Sequence, residues 1–220
     1  MGCSTGGQIS EGGMNDEINA IALYFDATGI RVAVEHIDGA EDSRRHGEEI
    51  GRKLASNDLA GVFVLSHGLN VNGSELVGFE HACRRRPLVG GPAGDGALFV
   101  ETLVGLDSPP RSRTIAAIGF YGAGVRIGHG SAGGWDVFGP KRRVTSSTGN
   151  VLRELDGQSA LDFYERYLSG TEVKALPGSA LLFPLRIYDL NRRDNQVART
   201  VRSVDRDKRS MTFAGDIPEG

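Results

Sequence analysis

Four glycine-bearing or strand-ending stretches hold residues whose types and spacing could do chemistry. Gly128-His129-Gly130-Ser131-Ala132-Gly133 spells GxGxxG. A dinucleotide site needs the last glycine of that motif to open a helix whose N-terminus faces a pyrophosphate. Here Trp135-Asp136-Val137-Phe138-Gly139-Pro140 follows, which is poor helix material, so the nucleotide reading fails. Gly90–Gly96, GGPAGDG, can form a backbone nest that presents N–H groups to an anion. Asp95 inside it opposes a phosphate and suits an amine instead, or a hydrogen bond that fixes the loop. Cys3 and Ser4 stand in a turn, and Ser66-His67 ends an apolar run. Neither makes a GxSxG elbow, and neighbours on a strand point to opposite faces. A small hydrolase using Cys3 or Ser4 is the weaker alternative.

Histidines 36, 46, 67, 81 and 129 show no metal spacing such as HExxH, so no protein-bound zinc is expected. One axial histidine is enough for haem. His129, in a Gly-rich loop, is the first choice and His67 the second, each against the plainer role of a loop or core histidine.

The elements that must position these groups follow from periodicity. Residues 20–26 (AIALYFD) and 31–37 (RVAVEHI) are β-rich and flank Ala27-Thr28-Gly29, which predicts a hairpin. Residues 41–56 predict a helix, with Glu48/Glu49 upstream of Arg52/Lys53 and Ile50/Leu54 on one face. Gly61–His67 (GVFVLSH) predicts a strand buried on both sides. Asn70 or Asn72 can cap a short helix that carries Leu76, Phe79 and Cys83 on one side. Strands are expected at 98–105, 113–121, 179–187, 197–204 and 210–214. Ser159 with Asp162 three residues on predicts a helix start, a capping-box variant. Gly128–Asn150, too Gly-rich for a helix and too long for a turn, reads as a connection between two lobes. Helices and strands mix without βαβ alternation. The expected fold is α+β, with largely antiparallel sheets, flanking helices and two lobes.

Composition narrows the partners. The net charge of −3 and short basic runs (Arg84-Arg85-Arg86, Lys141-Arg142-Arg143) give no nucleic-acid groove, since no aromatics interleave with them. No apolar run reaches the roughly 18 residues of a membrane span. Two cysteines, Cys3 and Cys83, make no disulfide framework. A cytoplasmic protein with no nucleic-acid or membrane partner is expected. Glycine is the outlier, 32 of 220 residues, and its clustering between apolar runs means tight turns and close backbone approaches. Both termini read as abrupt, which predicts a piece of a longer protein.

Taken in order, GCSTGGQI (2–9), LSHGLNVNGSEL (65–76), VGGPAGDG (89–96), GHGSAGGWDVFGPKRRVT (128–145) and GNVLRELDGQSALDFYERYL (149–168) resemble the FIST family. The ending FPLRI…RTVRSVD…MTFAGDIPEG (183–220) does so too. The resemblance covers essentially the whole chain. It implies residues 1–125 as the FIST N-terminal region, its first strand and helix missing, and 126–220 as the start of a truncated C-terminal region. It also implies an intracellular sensory, signal-transduction module that binds a small polar ligand such as an amino acid, and not an enzyme.

The ligand would meet backbone amides of the Gly-rich loops, including Gly90 and Gly91, together with Ser4, Thr5, Asn70, Asn72 and Asp95. Trp135 would supply an apolar wall, or else anchor its loop in the core. A histidine kinase or cyclase is the expected output partner. No cofactor is expected. Some FIST-annotated bacterial proteins are haem-based nitric-oxide sensors, which makes such a sensor the alternative. The family usually reads SDGLN where this chain has Ser66-His67-Gly68-Leu69-Asn70, so an imidazole replaces a carboxylate.

Overall fold

The computed structural model describes residues 1–10, 12–15, 17–76, 79, 83, 86–130, 134–189 and 192–220. His81, Arg84-Arg85 and the Ser131-Ala132-Gly133 end of the GxGxxG match lie outside the described residues. The chain divides into two units, Met1–Val71 with Glu75–Ser131, and Asn72–Ser74 with Ala132–Gly220.

In the first unit, β1 (Gly2–Cys3), β2 (Gln8–Ser10) and β3 (Gly13–Asn15) precede β4 (Gly29–His36). Helix α1 (Ser43–Leu54), β5 (Leu59–Ser66), β6 (Leu88–Pro92), β7 (Val104–Gly105) and β8 (Thr114–Tyr121) complete it. The main sheet has the order β4-β8-β5-β6, antiparallel except for the parallel pair β5/β6. Helix α1 lays Ile50 and Leu54, both fully buried, into a core with Ile37, Val62, Ile115, Phe79 and Cys83. A smaller core on Ala116 gathers Ala93, Val104 and Leu106 with Cys3, Leu65 and Ile118. β4 pairs only with β8 among the described residues, and its Ile30, Val32 and Val34 are 50%, 47% and 43% exposed.

In the second unit, α2 (Gly73–Leu76) begins on residues 73 and 74. The unit continues with β9 (Val144–Thr148), β10 (Val151–Leu155), β11 (Gln158–Ser159), α3 (Ala160–Glu165), α4 (Gly170–Lys174), β12 (Leu185–Asp189), β13 (Arg192–Arg199), β14 (Val201–Asp205) and β15 (Ser210–Phe213). Its sheet runs β11-β10-β15-β14 with β9 also on β10, all antiparallel. Leu152, Leu161, Val201, Met211, Phe213 and Ile217 fill the core beneath it. Ser159 Oγ accepts the Asp162 amide and caps α3 as its spacing predicts.

The α+β class and the mostly antiparallel sheets are as the sequence predicts. Three local expectations differ. Residues 20–26 form no strand, and Ile21 and Tyr24 are 88% and 91% exposed. β4 pairs on one edge with β8, residue for residue from Gly29↔Tyr121 to His36↔Thr114, and residues 20–26 do not take the other. The predicted strand 98–105 shrinks to Val104–Gly105, because the Asp95 carboxylate captures the amides of Val100 and Glu101. Of the predicted strand 179–187, only 185–187 are strand, the start of β12; the part before Pro184 is a 3-10 turn over Gly178–Leu182.

Candidate functional site

The parallel pair β5/β6 delivers two motif loops at one end of the sheet. β5 ends at Ser66 opposite Pro92, and the Ala93 amide donates to the Ser66 carbonyl at 2.8 Å. The Gly94 amide donates to the Ser4 carbonyl at 3.0 Å, while Ser4 Oγ accepts the Leu103 amide at 2.9 Å. The Gly68 amide donates to Thr102 Oγ1 at 2.8 Å. Backbone meets backbone here: a Cβ on Gly6 would lie 3.0 Å from the Gly96 nitrogen, and one on Gly94 3.0 Å from the Gly6 nitrogen. Three motifs distant in sequence thus share one loop cluster beyond the carboxyl ends of parallel strands, a common place for ligands in α/β sheets.

His67 organises one of these loops. It is 2% exposed, and its Nδ1 faces the amides of Leu69 at 3.3 Å and Asn70 at 3.1 Å. Both neighbours are donors, so Nδ1 must be the acceptor. The ring proton then sits on Nε2, which donates to Ser112 Oγ at 3.2 Å. The imidazole does the turn-closing work that a carboxylate would do at this position. With both nitrogens engaged, His67 has none left for an iron.

The other polar candidates divide. Asp95 Oδ2 accepts the amides of Val100 at 2.7 Å and Glu101 at 3.1 Å, which makes it a loop fastener. Thr5, exposed, accepts the Gly7 amide at 3.3 Å. Asn70 is half-buried at the end of the His67 turn. Burial pushes the Cys3 thiol above its ordinary range, opposite to what a thiolate nucleophile needs. Asn72 and Trp135 belong to the second unit. Asn72 Nδ2 donates to Asp216 Oδ1 at 2.7 Å and its Oδ1 accepts the Ser74 amide at 3.1 Å. Trp135 is 52% exposed, so it does not anchor its loop in the core; its carbonyl accepts from Arg186 Nη2 at 2.9 Å.

A cleft of about 390 Å³ opens along β6, lined by Leu88, Val89, Gly90, Gly128, His129 and Gly130. Gly90 has φ +134°, and a Cβ there would lie 1.8 Å from the Val64 carbonyl oxygen, so only glycine fits. A Cβ on Gly91 meets nothing within 4 Å. His129, exposed, brings a titratable ring to this cleft. Sequence spacing gives no hint that Gly128–Gly130 and Leu88–Gly90 share a wall. Thr102 and Ser112, which hold the His67 loop, carry no local signal either.

Glu35, His46 and Glu49 are the one group among the described residues with donor atoms close enough to share a cation, all within 4.8 Å. His46 Nδ1 lies 3.1 Å from Glu35 Oε2 and 3.6 Å from Glu49 Oε2. Lys53 Nζ already bonds the other Glu35 oxygen, and Arg45 Nη2 approaches His46 Nε2 at 3.1 Å. The group is neutralised by its own cations.

The FIST N domain model matches residues 1–158 and the FIST C domain model residues 160–220. The chain belongs to the FIST family. FIST domains are sensory domains of signal transduction and are not a known enzyme family. Neither curated proteins nor solved structures gave a match to this FIST chain. No helix among the described residues is long and apolar enough to cross a membrane.

Proposed function

We propose that this FIST chain is a cytoplasmic sensory domain that binds a small polar ligand, an amino acid or related metabolite. The observation that carries this reading is the β6 cleft. Its volume suits a small metabolite, and it joins Leu88 and Val89 to glycine backbone and the His129 ring. The loop cluster that follows β6 has Ser4, Gly94 and Asp95 bonded into place. Thr5, Asn70 and Gly91 are further residues proposed to meet the ligand. Asn72 and Trp135 belong to the second unit and are not part of this cleft. The output partner is a separate protein such as a histidine kinase or cyclase, and the ligand signals by preferring one conformation.

A thermal-shift screen against amino acids and related metabolites tests this. A hit should raise the melting temperature in a dose-dependent way, and Gly91→Leu or His129→Ala should blunt the response. Silence across the panel up to millimolar concentration rejects the reading.

A haem-based gas sensor is the second reading, favoured by one observation: His129 lines the cleft. Haemin reconstitution should then give a Soret band that His129→Ala removes and His67→Ala leaves. A band indifferent to His129→Ala rejects it.

A further inference from the structure

We propose that the free edge of β4 pairs with the β4 edge of a second copy of this chain, antiparallel and centred on Ala33. β4 is eight residues long, bonded to β8 on one side only among the described residues. An edge of this length is a template for another strand. Natural edges are guarded by charge, proline or bulges; β4 reads GIRVAVEH, has no proline, pairs with β8 without a register shift, and its charges, Arg31 and Glu35, are of opposite sign and can pair across a second copy. Its exposed face carries Ile30, Val32 and Val34.

The sequence of β4 selects the partner and the register. Side chains alternate between faces, so a twofold pairing that keeps the apolar face continuous must set residues of like parity opposite one another. An axis at Val32 would set Glu35 opposite Gly29 and Arg31 opposite Ala33. An axis at Val34 would set Glu35 opposite Ala33. Only the axis at Ala33 sets Arg31 of each copy opposite Glu35 of the other, twice, by symmetry. It also sets Val32 opposite Val34 twice. Opposite charges and β-branched pairs directly across a ladder stabilise it, and the same patch serves both copies.

The side chains are ready for this arrangement. Arg31 is exposed and rests its guanidinium 4.7 Å over the Tyr121 ring, on the face shared with Glu35. Burial pushes the Glu35 carboxyl up, but hydrogen bonds from Lys53 and His46 outweigh it and hold the group below the usual carboxylate range, so the partner's Arg31 would join Lys53 and His46 around an ionised carboxylate. One strand pair is a small interface, so the dimer belongs to the weak, concentration-dependent class.

Sedimentation or light scattering over a dilution series of the native chain should show the mass climbing from 23.5 kDa toward twice that value. Arg31→Glu and Val32→Lys, both at exposed positions and checked for an unchanged melt, should stay at monomer mass throughout. A native chain that stays at monomer mass, or grows without limit, overturns the proposal. Cysteine scanning reads the register. Val32→Cys with Val34→Cys in one chain should crosslink two copies under mild oxidation, whereas neither single variant should exceed the native control. Crosslinking by Val32→Cys alone would move the axis and overturn the Ala33 register.

Discussion

Asn72 and Asp216 stand 144 residues apart in sequence and share a hydrogen bond of 2.7 Å, from Asn72 Nδ2 to Asp216 Oδ1. Asp216 is held again through its backbone: its amide donates to Ser74 Oγ at 2.9 Å, and its carbonyl accepts from Arg199 Nε at 3.0 Å. Asn72 is 5% exposed, so its carboxamide acts as a clasp of the second unit.

Asn72→Ala strips that clasp and leaves the Ser74 amide without its acceptor. The expected loss is about 1–3 kcal/mol in urea unfolding, the usual cost of an orphaned buried polar group. Asn72→Asp should cost more, since it sets a carboxylate against Asp216, and the excess should shrink in acid. No loss in Asn72→Ala would mean the bond contributes nothing, and equal losses for the two variants at every pH would mean no repulsion arises at Asp216.

His67→Ala removes the acceptor of two amides and the donor to Ser112. A loss of roughly 1–3 kcal/mol is expected. His67→Asn or His67→Asp restores an oxygen where Nδ1 stands and should recover part of it. If both replacements match alanine, the turn is held by something other than Nδ1.

Gly90→Ala and Gly91→Ala separate strain from exposure. The first forces a Cβ to 1.8 Å from the Val64 carbonyl oxygen at φ +134°; the second meets nothing within 4 Å. Gly90→Ala should abolish or severely weaken folding, several kcal/mol by strain and clash. Gly91→Ala should stay within about 0.5 kcal/mol. Circular dichroism melts of the two variants decide it.

Alkaline pH tests the Cys83 site. Burial pushes this thiol from 9.0 up to about 11. Above pH 9 the unfolded chain ionises the thiol while the folded chain does not. The stabilisation is therefore complete below pH 9 and fades as pH rises toward 11, a change on the order of 2 kcal/mol. Cys83→Ala should flatten that part of the profile, and an unchanged slope would assign it to other groups. Cys83, 3% exposed, should also resist thiol reagents until the protein unfolds.

Elements with strong periodicity were legible before the structure. The 41–56 pattern contains α1, with Ile50 and Leu54 fully buried as their spacing requires. GVFVLSH lies on β5 and its end, and the Asp205–Lys208 turn closes the β14/β15 hairpin through Asp205 Oδ1. A local β-rich composition is not enough by itself: residues 20–26 form no strand, while β4 pairs with the distant β8. Asp95 shows the same limit at the site: its two readings, amine ligand or loop fastener, use one carboxylate. Only the positions of the Val100 and Glu101 amides choose between them. The His67 tautomer likewise depends on Ser112, which no spacing rule links to it.

Residues 72–74 count with the second unit, while the chain on either side of them counts with the first. The polypeptide therefore changes bodies at 71/72, 74/75 and 131/132. No single break in the gene yields two whole halves. Expressing residues 132–220 alone would leave Asp216 without Asn72 and Ser74, and the cut that frees one body also wounds it. Such a chain resists being shuffled as two independent modules, so any recombined or spliced descendant must inherit both bodies together.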